Sequence, residues 1–328
     1  MQTKWPHCTG NLYLPETENV LYRCRLDAIG CGEMKPVCAI VVTWNRLEML
    51  KACVASVKRN APDADILVVD NASTDGTGEW LAQETGIGVL SLPENTGGAG
   101  GFAAGMKWAY GHGYEWMWIM DDDVVAIGNP LEVISENASR ADAIQAAKYE
   151  VDGSECVFEG IVDPKTMRRR RIRTSDVPAC GFTPCNVATF EGLFVSRRAV
   201  ETIGYPDASF FYGLDDLFYG YRAAEKLRFV FVPQFVLKKQ TGKSRASFMG
   251  KRFYSSTPLS RYYHVRNYWK VMRYLYASGA GSWRMYLMYA YEAFKAIAIT
   301  MFVERDMRGM ALVMKGVVDG VKGRGGKA

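Results

Sequence analysis

From Val37 onward, apolar and polar positions alternate in blocks that have the lengths of strands and helices. "VCAIVVT" (37–43) is an unbroken apolar run of strand length, and "RLEMLKACVASVKRN" (46–60) repeats apolar residues at helical spacing. "DILVVD" (65–70) predicts a second strand, "TGEWLAQET" (77–85) a second helix and "GVLSL" (88–92) a third strand. "GGFAAGMKWAYGHG" (100–113) then supplies a helix and "WMWIM" (116–120) a fourth strand. Strands that lack alternation and are separated by helices imply a parallel sheet buried on both faces. The expected fold class is therefore α/β, a doubly wound and mainly parallel sheet. In such a sheet, ligands bind beyond the carboxyl ends of the strands. The polar clusters fall there: "TWNR", "DNASTDGT", "PENTGG" and "DDD" after the first, second, third and fourth strands.

Beyond Pro130 the pattern is more mixed. "AIQAAKYEV" (143–151) and "CVFEGIV" (156–162) read as strands, and "RRRRIRTSD" (168–176) as a solvated loop whose alternative role is contact with an acceptor or a phosphate. "FEGLFVSRRAVETIG" predicts a strand and a helix, and "GLDDLFYGYRAAEKL" a helix followed by the strand "RFVFVP". From about Ser255 the chain reads as helical and aromatic-rich. Three regions result: an N-terminal extension over 1–35, β-rich or irregular; an α/β domain over 36–245; and a basic helical region over 246–328.

Composition narrows the class. The 328 residues are 48% hydrophobic, enough for one large core or two modest ones. No uncharged apolar run of about 18 residues appears, and the N-terminus lacks a signal-like apolar segment, so the expectation is a cytosolic chain without a membrane span. Eight scattered cysteines fit free thiols in that compartment. His7, Cys8, Cys24 and Cys31 form an irregular zinc candidate without a C-x-x-C pair. The net charge of +5 conceals an asymmetry: from Arg245 on, 15 Lys and Arg face 4 Asp and Glu, so the body is acidic and the tail basic.

Three adjacent carboxylates, Asp121, Asp122 and Asp123, repel one another by roughly 4 kcal/mol per pair at 4 Å and an effective dielectric of 20. A divalent cation removes that cost, and carboxylate oxygens suit Mg²⁺ or Mn²⁺. Asp70 ends its strand where it can accept from a base ring or a ribose. The glycines of "NTGGAGGFAAG" (95–105) suit close backbone approach or positive φ. The same stretch fits a dinucleotide fingerprint at Gly98, Gly100 and Ala103, although "PEN" separates it from the strand. Asp215 and Asp216 lie among aromatics at a predicted helix start, where partial burial favours a general base.

Together, "VVTWNR", "VVDNASTDGT", the D-x-D element in "MDDDV" and the later "DD" resemble the inverting family 2 glycosyltransferases of GT-A fold. The resemblance spans about Val37 to Pro233. "NTGGAGGFAAGM", "FFYGLDDLFYGYRA" and "YYHVRN" look most like bacterial galactofuranosyl- and rhamnosyltransferases. The resemblance implies a UDP-sugar donor, with dTDP-rhamnose as the alternative. It places Thr43, Asn45, Arg46 and Asp70 at the nucleotide, with Asn95, Gly97 and Gly98 beside it. Asp121 and Asp123 would hold a divalent metal, Mn²⁺ or Mg²⁺, with Asp122 between them, and Asp216 would be the base, supported by Asp215. Many relatives carry a metal-binding His some two dozen residues later. The corresponding "VLKKQTGKS" (236–244) has none, and Lys238 or Lys239 could itself neutralise diphosphate charge.

His264 reads as a core or capping residue, and Arg266 as a phosphate contact by virtue of its planar fork. The basic, aromatic tail suits an anionic membrane surface, as a lipid-linked glycan acceptor would require, at the inner face of the cytoplasmic membrane. Nucleic acid is not expected as a partner. An NAD-dependent oxidoreductase and a non-catalytic glycan- or lipid-binding scaffold are the readings outside the class.

Overall fold

The computed structural model describes residues 23–25, 37–242, 245–248, 251–254 and 257–328; of 23–25, 245–248 and 251–254 it describes the backbone alone. The candidate zinc residues His7, Cys8 and Cys31 lie outside the described residues, as does nearly all of the N-terminal extension.

In chain order, the elements are β1 (Arg23–Arg25), β2 (Val37–Thr43), α1 (Leu47–Asn60), β3 (Asp65–Asp70), α2 (Thr77–Gln83), β4 (Gly88–Ser91), α3 (Gly97–Gly111), β5 (Trp116–Asp121) and β6 (Val124–Ala126). They continue with α4 (Pro130–Asn137), β7 (Ala143–Tyr149), β8 (Gly160–Val162), β9 (Arg169–Arg171), β10 (Thr183–Pro184), β11 (Leu193–Ser196), α5 (Arg197–Ile203), α6 (Asp215–Lys226) and β12 (Phe229–Lys239). A hairpin follows, β13 (Arg245–Phe248) and β14 (Lys251–Tyr254), and then α7 (Pro258–Ala277), α8 (Arg284–Ala298) and α9 (Met307–Val321).

The main sheet runs β1-β4-β3-β2-β5-β11-β7-β12-β10, with β6 alongside β12. Strands β4, β3, β2 and β5 are mutually parallel, as are β7 and β12. Strand β11 runs antiparallel between β5 and β7. This makes the sheet mixed and mainly parallel. Leu50, Cys53 and Val57 of α1 cover one face, and Phe102 and Met106 of α3 the other.

Helix α6 is buried on two sides. Tyr219 and Ala223 pack on the sheet, while Leu217, Phe218 and Tyr221 meet Val265, Tyr268 and Met272 of α7. The C-terminal helices therefore form a third layer behind α6.

Four details differ from the sequence reading. The segment 169–171 is a strand, not a loop; it pairs with β8, which occupies only Gly160–Val162 of the predicted "CVFEGIV". Strand β12 continues through Pro233 to Lys239, because the ladder breaks register between Val232 and Phe235, where the missing proline N–H does no harm. The hairpin β13–β14 occupies the start of the region set at 246–328, ahead of the helices expected from about Ser255. Finally, Arg284–Val303 is helical and long and apolar enough to cross a membrane by length and composition, with 22% of its most apolar window buried.

Candidate active site

The site gathers at the carboxyl ends of β2, β3 and β5. Asp122 is buried, accepts from Thr43 Oγ1 at 2.7 Å, and pairs with Arg46 Nη1 at 3.2 Å. The same Nη1 lies 3.0 Å from Asp123 Oδ2. Burial raises the Asp122 carboxyl, and the bonds from Thr43 and Arg46 oppose that rise. Asp122 thus turns inward and anchors the turn that presents its two neighbours.

The loop after β2 is bonded to the loop after β3. The Asn45 N–H donates to Ser73 Oγ at 3.0 Å, and Asn45 Oδ1 accepts from the Thr74 N–H at 2.7 Å. Asp70 Oδ1 accepts from the Ser73 N–H at 3.0 Å. Asp75 accepts from the Leu47 N–H and from Thr77 Oγ1, so it holds the start of α1 as well as that of α2. These bonds fix the floor on which Thr43, Asn45, Arg46 and Asp70 converge.

Asp121 and Asp123 form one cluster with Glu191, their carboxylate oxygens lying within 4.8 Å of one another. Burial, then the charges of Asp123, Glu191 and Asp122, push the Asp121 carboxyl well up. A hard divalent cation would relieve that repulsion, and an all-oxygen donor set is the kind it prefers. The residues present therefore fit Mg²⁺ or Mn²⁺.

Glu191 escapes a reading of the sequence alone. It precedes β11, and the antiparallel pairing of Leu193 with Ile119 carries it to the end of β5. It is also held by cations: Lys239 Nζ lies 3.0 Å from Glu191 Oε2, and Lys148 Nζ 3.8 Å. Lys148 is fully buried, bonded to Glu159 and, at 2.6 Å, to Thr189 Oγ1. A lysine inside the predicted strand "AIQAAKYEV" is the signal that points to such a buried pair. Lys239, in the stretch where many relatives carry a histidine, thus meets the acidic cluster through Glu191.

Asp215 and Asp216 open α6, where the first-turn N–H groups favour negative charge. The Leu217 N–H donates to Asp216 Oδ1 at 2.7 Å. Burial raises both carboxyls; the Asp216 charge adds to the rise of Asp215, while the Leu217 bond and Arg169 oppose that of Asp216. Glu191 acts electrostatically on Asp121 and on Asp216, so both acidic groups lie within reach of one charge.

Asn95 and Gly97 set where α3 begins. Asn95 Oδ1 accepts from the Gly97 N–H at 2.8 Å. Gly97 has φ +75°, and a Cβ there would lie 2.0 Å from the Phe211 carbonyl oxygen, so only glycine lets α3 approach the 209–213 loop. Gly98 faces open space.

Arg266 stands apart from these groups. It is 2% exposed, and its guanidinium donates to the carbonyls of Ser209 at 3.2 Å and Phe210 at 2.6 Å, to that of Gly326, and to Asn267 Oδ1. Asn267 Nδ2 donates to the carbonyls of Phe210, Tyr212 and Gly213 at 3.0, 2.9 and 2.8 Å. The pair clamps the loop leading into Asp215 and Asp216. His264 lies on the same helix, beside Tyr268, and desolvation lowers its pKa.

A mixed, mainly parallel sheet with acidic groups beyond its strand ends is the architecture of GT-A glycosyltransferases, and sequence comparison agrees. Residues 38–203 match Glycosyl transferase family 2, half of the chain. The protein belongs to that family and is a glycosyltransferase. An undecaprenyl-phosphate mannosyltransferase of Micrococcus luteus is 27% identical over 225 residues, covering 64% of this chain and 87% of the relative. The galactofuranosyltransferase GlfT1 of Mycolicibacterium smegmatis is 30% identical over 196 residues, 55% of this chain and 63% of the relative. This chain therefore aligns with less than two thirds of that galactofuranosyltransferase. Among solved structures, GalNAc-T7 with UDP, GalNAc and Mn²⁺ superposes with a TM-score of 0.50 at 17% identity, over 71% of this chain and 47% of that one. That likeness is one of fold.

Proposed function

We propose that this protein transfers galactofuranose from UDP-galactofuranose to a hydroxyl of a lipid-linked cell-surface glycan, inverting the anomeric centre. The observation that carries the reading is that Glu191, clustered with Asp121 and Asp123, also acts electrostatically on Asp216 at the start of α6. The similarity to a galactofuranosyltransferase supports the sugar.

In this reading, Thr43, Asn45, Arg46 and Asp70 hold the nucleotide, with Asn95, Gly97 and Gly98 beside it. Asp121 and Asp123, with Glu191, would hold a divalent cation, which would offset charge on the leaving diphosphate. The Asp216 carboxylate takes the proton of the acceptor hydroxyl, whose oxygen bonds to the anomeric carbon. The bond from that carbon to the diphosphate oxygen breaks, and UDP leaves with the electron pair. A base with a raised pKa is well matched to this work.

The acceptor's lipid would lie at the inner face of the cytoplasmic membrane. Helix α8 supports that placement, because Leu287, Tyr291 and Phe294 are exposed, and Arg284, Arg305 and Arg308 flank the apolar stretch. The relative named for undecaprenyl phosphate supports a polyprenyl-linked acceptor.

The test is transfer from UDP-galactofuranose, dTDP-rhamnose and GDP-mannose to lipid-linked glycans in anionic vesicles, with pelleting of the vesicles to measure attachment. Galactofuranosyl product and co-pelleting are expected. Rhamnosyl or mannosyl product alone would replace the donor, and protein left in the supernatant would remove the membrane placement.

A further inference from the structure

The hairpin β8–β9 carries four consecutive arginines that the donor site does not use. Its backbone is firmly placed. Asn186 accepts from the Val162 N–H at 2.7 Å and donates to the Val162 carbonyl at 2.9 Å, and the Val187 N–H donates to the Gly160 carbonyl at 3.1 Å. A Cβ at Gly160 would lie 2.1 Å from the Arg170 carbonyl oxygen, so the two strands meet closely at that position.

On this scaffold, Arg168, Arg170 and Arg171 are exposed, whereas Arg169 turns inward, with its Cζ 4.2 Å from the Phe158 ring centroid. Its Nε and Nη2 are shielded from water and have no hydrogen-bond partner among the described residues. Buried donors are almost always paired, so two open ones on a single guanidinium call for an explanation. Nε and Nη2 share one edge of the guanidinium plane, the edge that grips two oxygens of an anion side by side. The charged groups acting on Arg169 are Asp216 and Glu159, which attract it, and Arg171, which repels it; burial outweighs them and lowers its pKa.

We infer that Arg169 is a binding residue for a phosphate carried by the acceptor, gripped by its open Nε–Nη2 edge. The inference rests on the proposed role of Asp216 and adds a substrate class to it. Inversion puts the attacking hydroxyl and the leaving diphosphate on opposite faces of the sugar. Arg169 lies outside the Asp121, Asp123 and Glu191 cluster that would serve the donor diphosphate, and Asp216 attracts it, so we assign it to the acceptor side. The exposed Arg168, Arg170 and Arg171 supply the further positive charge that a diphosphate, more than a single carboxylate, demands.

The experiment uses the full chain saturated with UDP and measures calorimetric binding of geranyl diphosphate and of geraniol to wild type, Arg169→Gln and Arg168→Gln. Geranyl diphosphate should bind wild type far better than geraniol does. Arg169→Gln should weaken it about ten- to hundred-fold, the range for lost charge-assisted hydrogen bonds. Arg168→Gln should weaken it less than about threefold, as for an exposed charge. The inference is overturned if Arg169→Gln binds geranyl diphosphate as wild type does, if geraniol binds equally well, or if UDP competes with the diphosphate. No sugar transfer enters this measurement, so a wrong donor or a wrong base would leave the binding result unchanged. A fall in kcat for Arg169→Gln with unchanged geranyl diphosphate binding would also overturn it, leaving Arg169 as a residue that only keeps Asp216 ionised.

Discussion

The two walls of the proposed site are built in different ways. The wall proposed to hold the donor is made of strand ends: Thr43, Asp70 and Asp121 each terminate a central parallel strand, and the loops that follow are bonded to one another by Asn45, Ser73 and Asp75. The wall proposed to carry the base hangs on a loop, 209–213, with little regular structure of its own. It is held from behind by Arg266 and Asn267 of α7 and from the front by the close approach of Gly97. One wall inherits its geometry from the sheet, and the other borrows it from the C-terminal helices. Changes in α7 should therefore reach the base while leaving the nucleotide in place.

That division orders the expected effects. The largest is Asp216→Asn, which should lower kcat by about 10²- to 10⁴-fold, as for loss of a general base, with UDP affinity unchanged. Because burial raises Asp216, the proposed base is ionised only above its raised pKa. Wild-type kcat/KM should accordingly fall with decreasing pH at a higher pH than an ordinary aspartate would give. A pH profile flat through the acid limb would remove the assignment.

Next is Asn267→Ala, which leaves the carbonyls of Phe210, Tyr212 and Gly213 without this donor. The Phe210 carbonyl keeps Arg266, whereas those of Tyr212 and Gly213 lose this donor at a cost of about 1–3 kcal/mol each where shielded from water, and the loss should appear as a lower Tm. Turnover should fall while UDP affinity holds, because the loop it releases carries Asp215 and Asp216. Equal losses of turnover and UDP binding would mean that the two walls are not independent.

The same contrast explains what is legible in the sequence. The strands β2 to β5 are continuous apolar runs, and each acid stands directly at the end of one, so strand and chemistry share a short window. Glu191 carries no such local signal. Glu191 reaches Asp121 only because β11 inserts antiparallel between β5 and β7, a pairing that periodicity does not encode. Arg266 shows the opposite problem: its planar fork suits phosphate, yet here it binds backbone carbonyls equally well. The arginine run 168–171 reads as a loop in sequence, since charge masks the alternation that would mark a three-residue strand, and only the structure separates Arg169 from its exposed neighbours.

The most direct test of the two-walled account is calorimetric titration of UDP, with and without Mn²⁺, into wild type, Asp216→Asn and the double variant Asp121→Asn/Asp123→Asn. The account predicts that Mn²⁺ strengthens UDP binding in wild type and Asp216→Asn alike and has no such effect in the double variant. Loss of the Mn²⁺ effect in Asp216→Asn, or its persistence in the double variant, would contradict it.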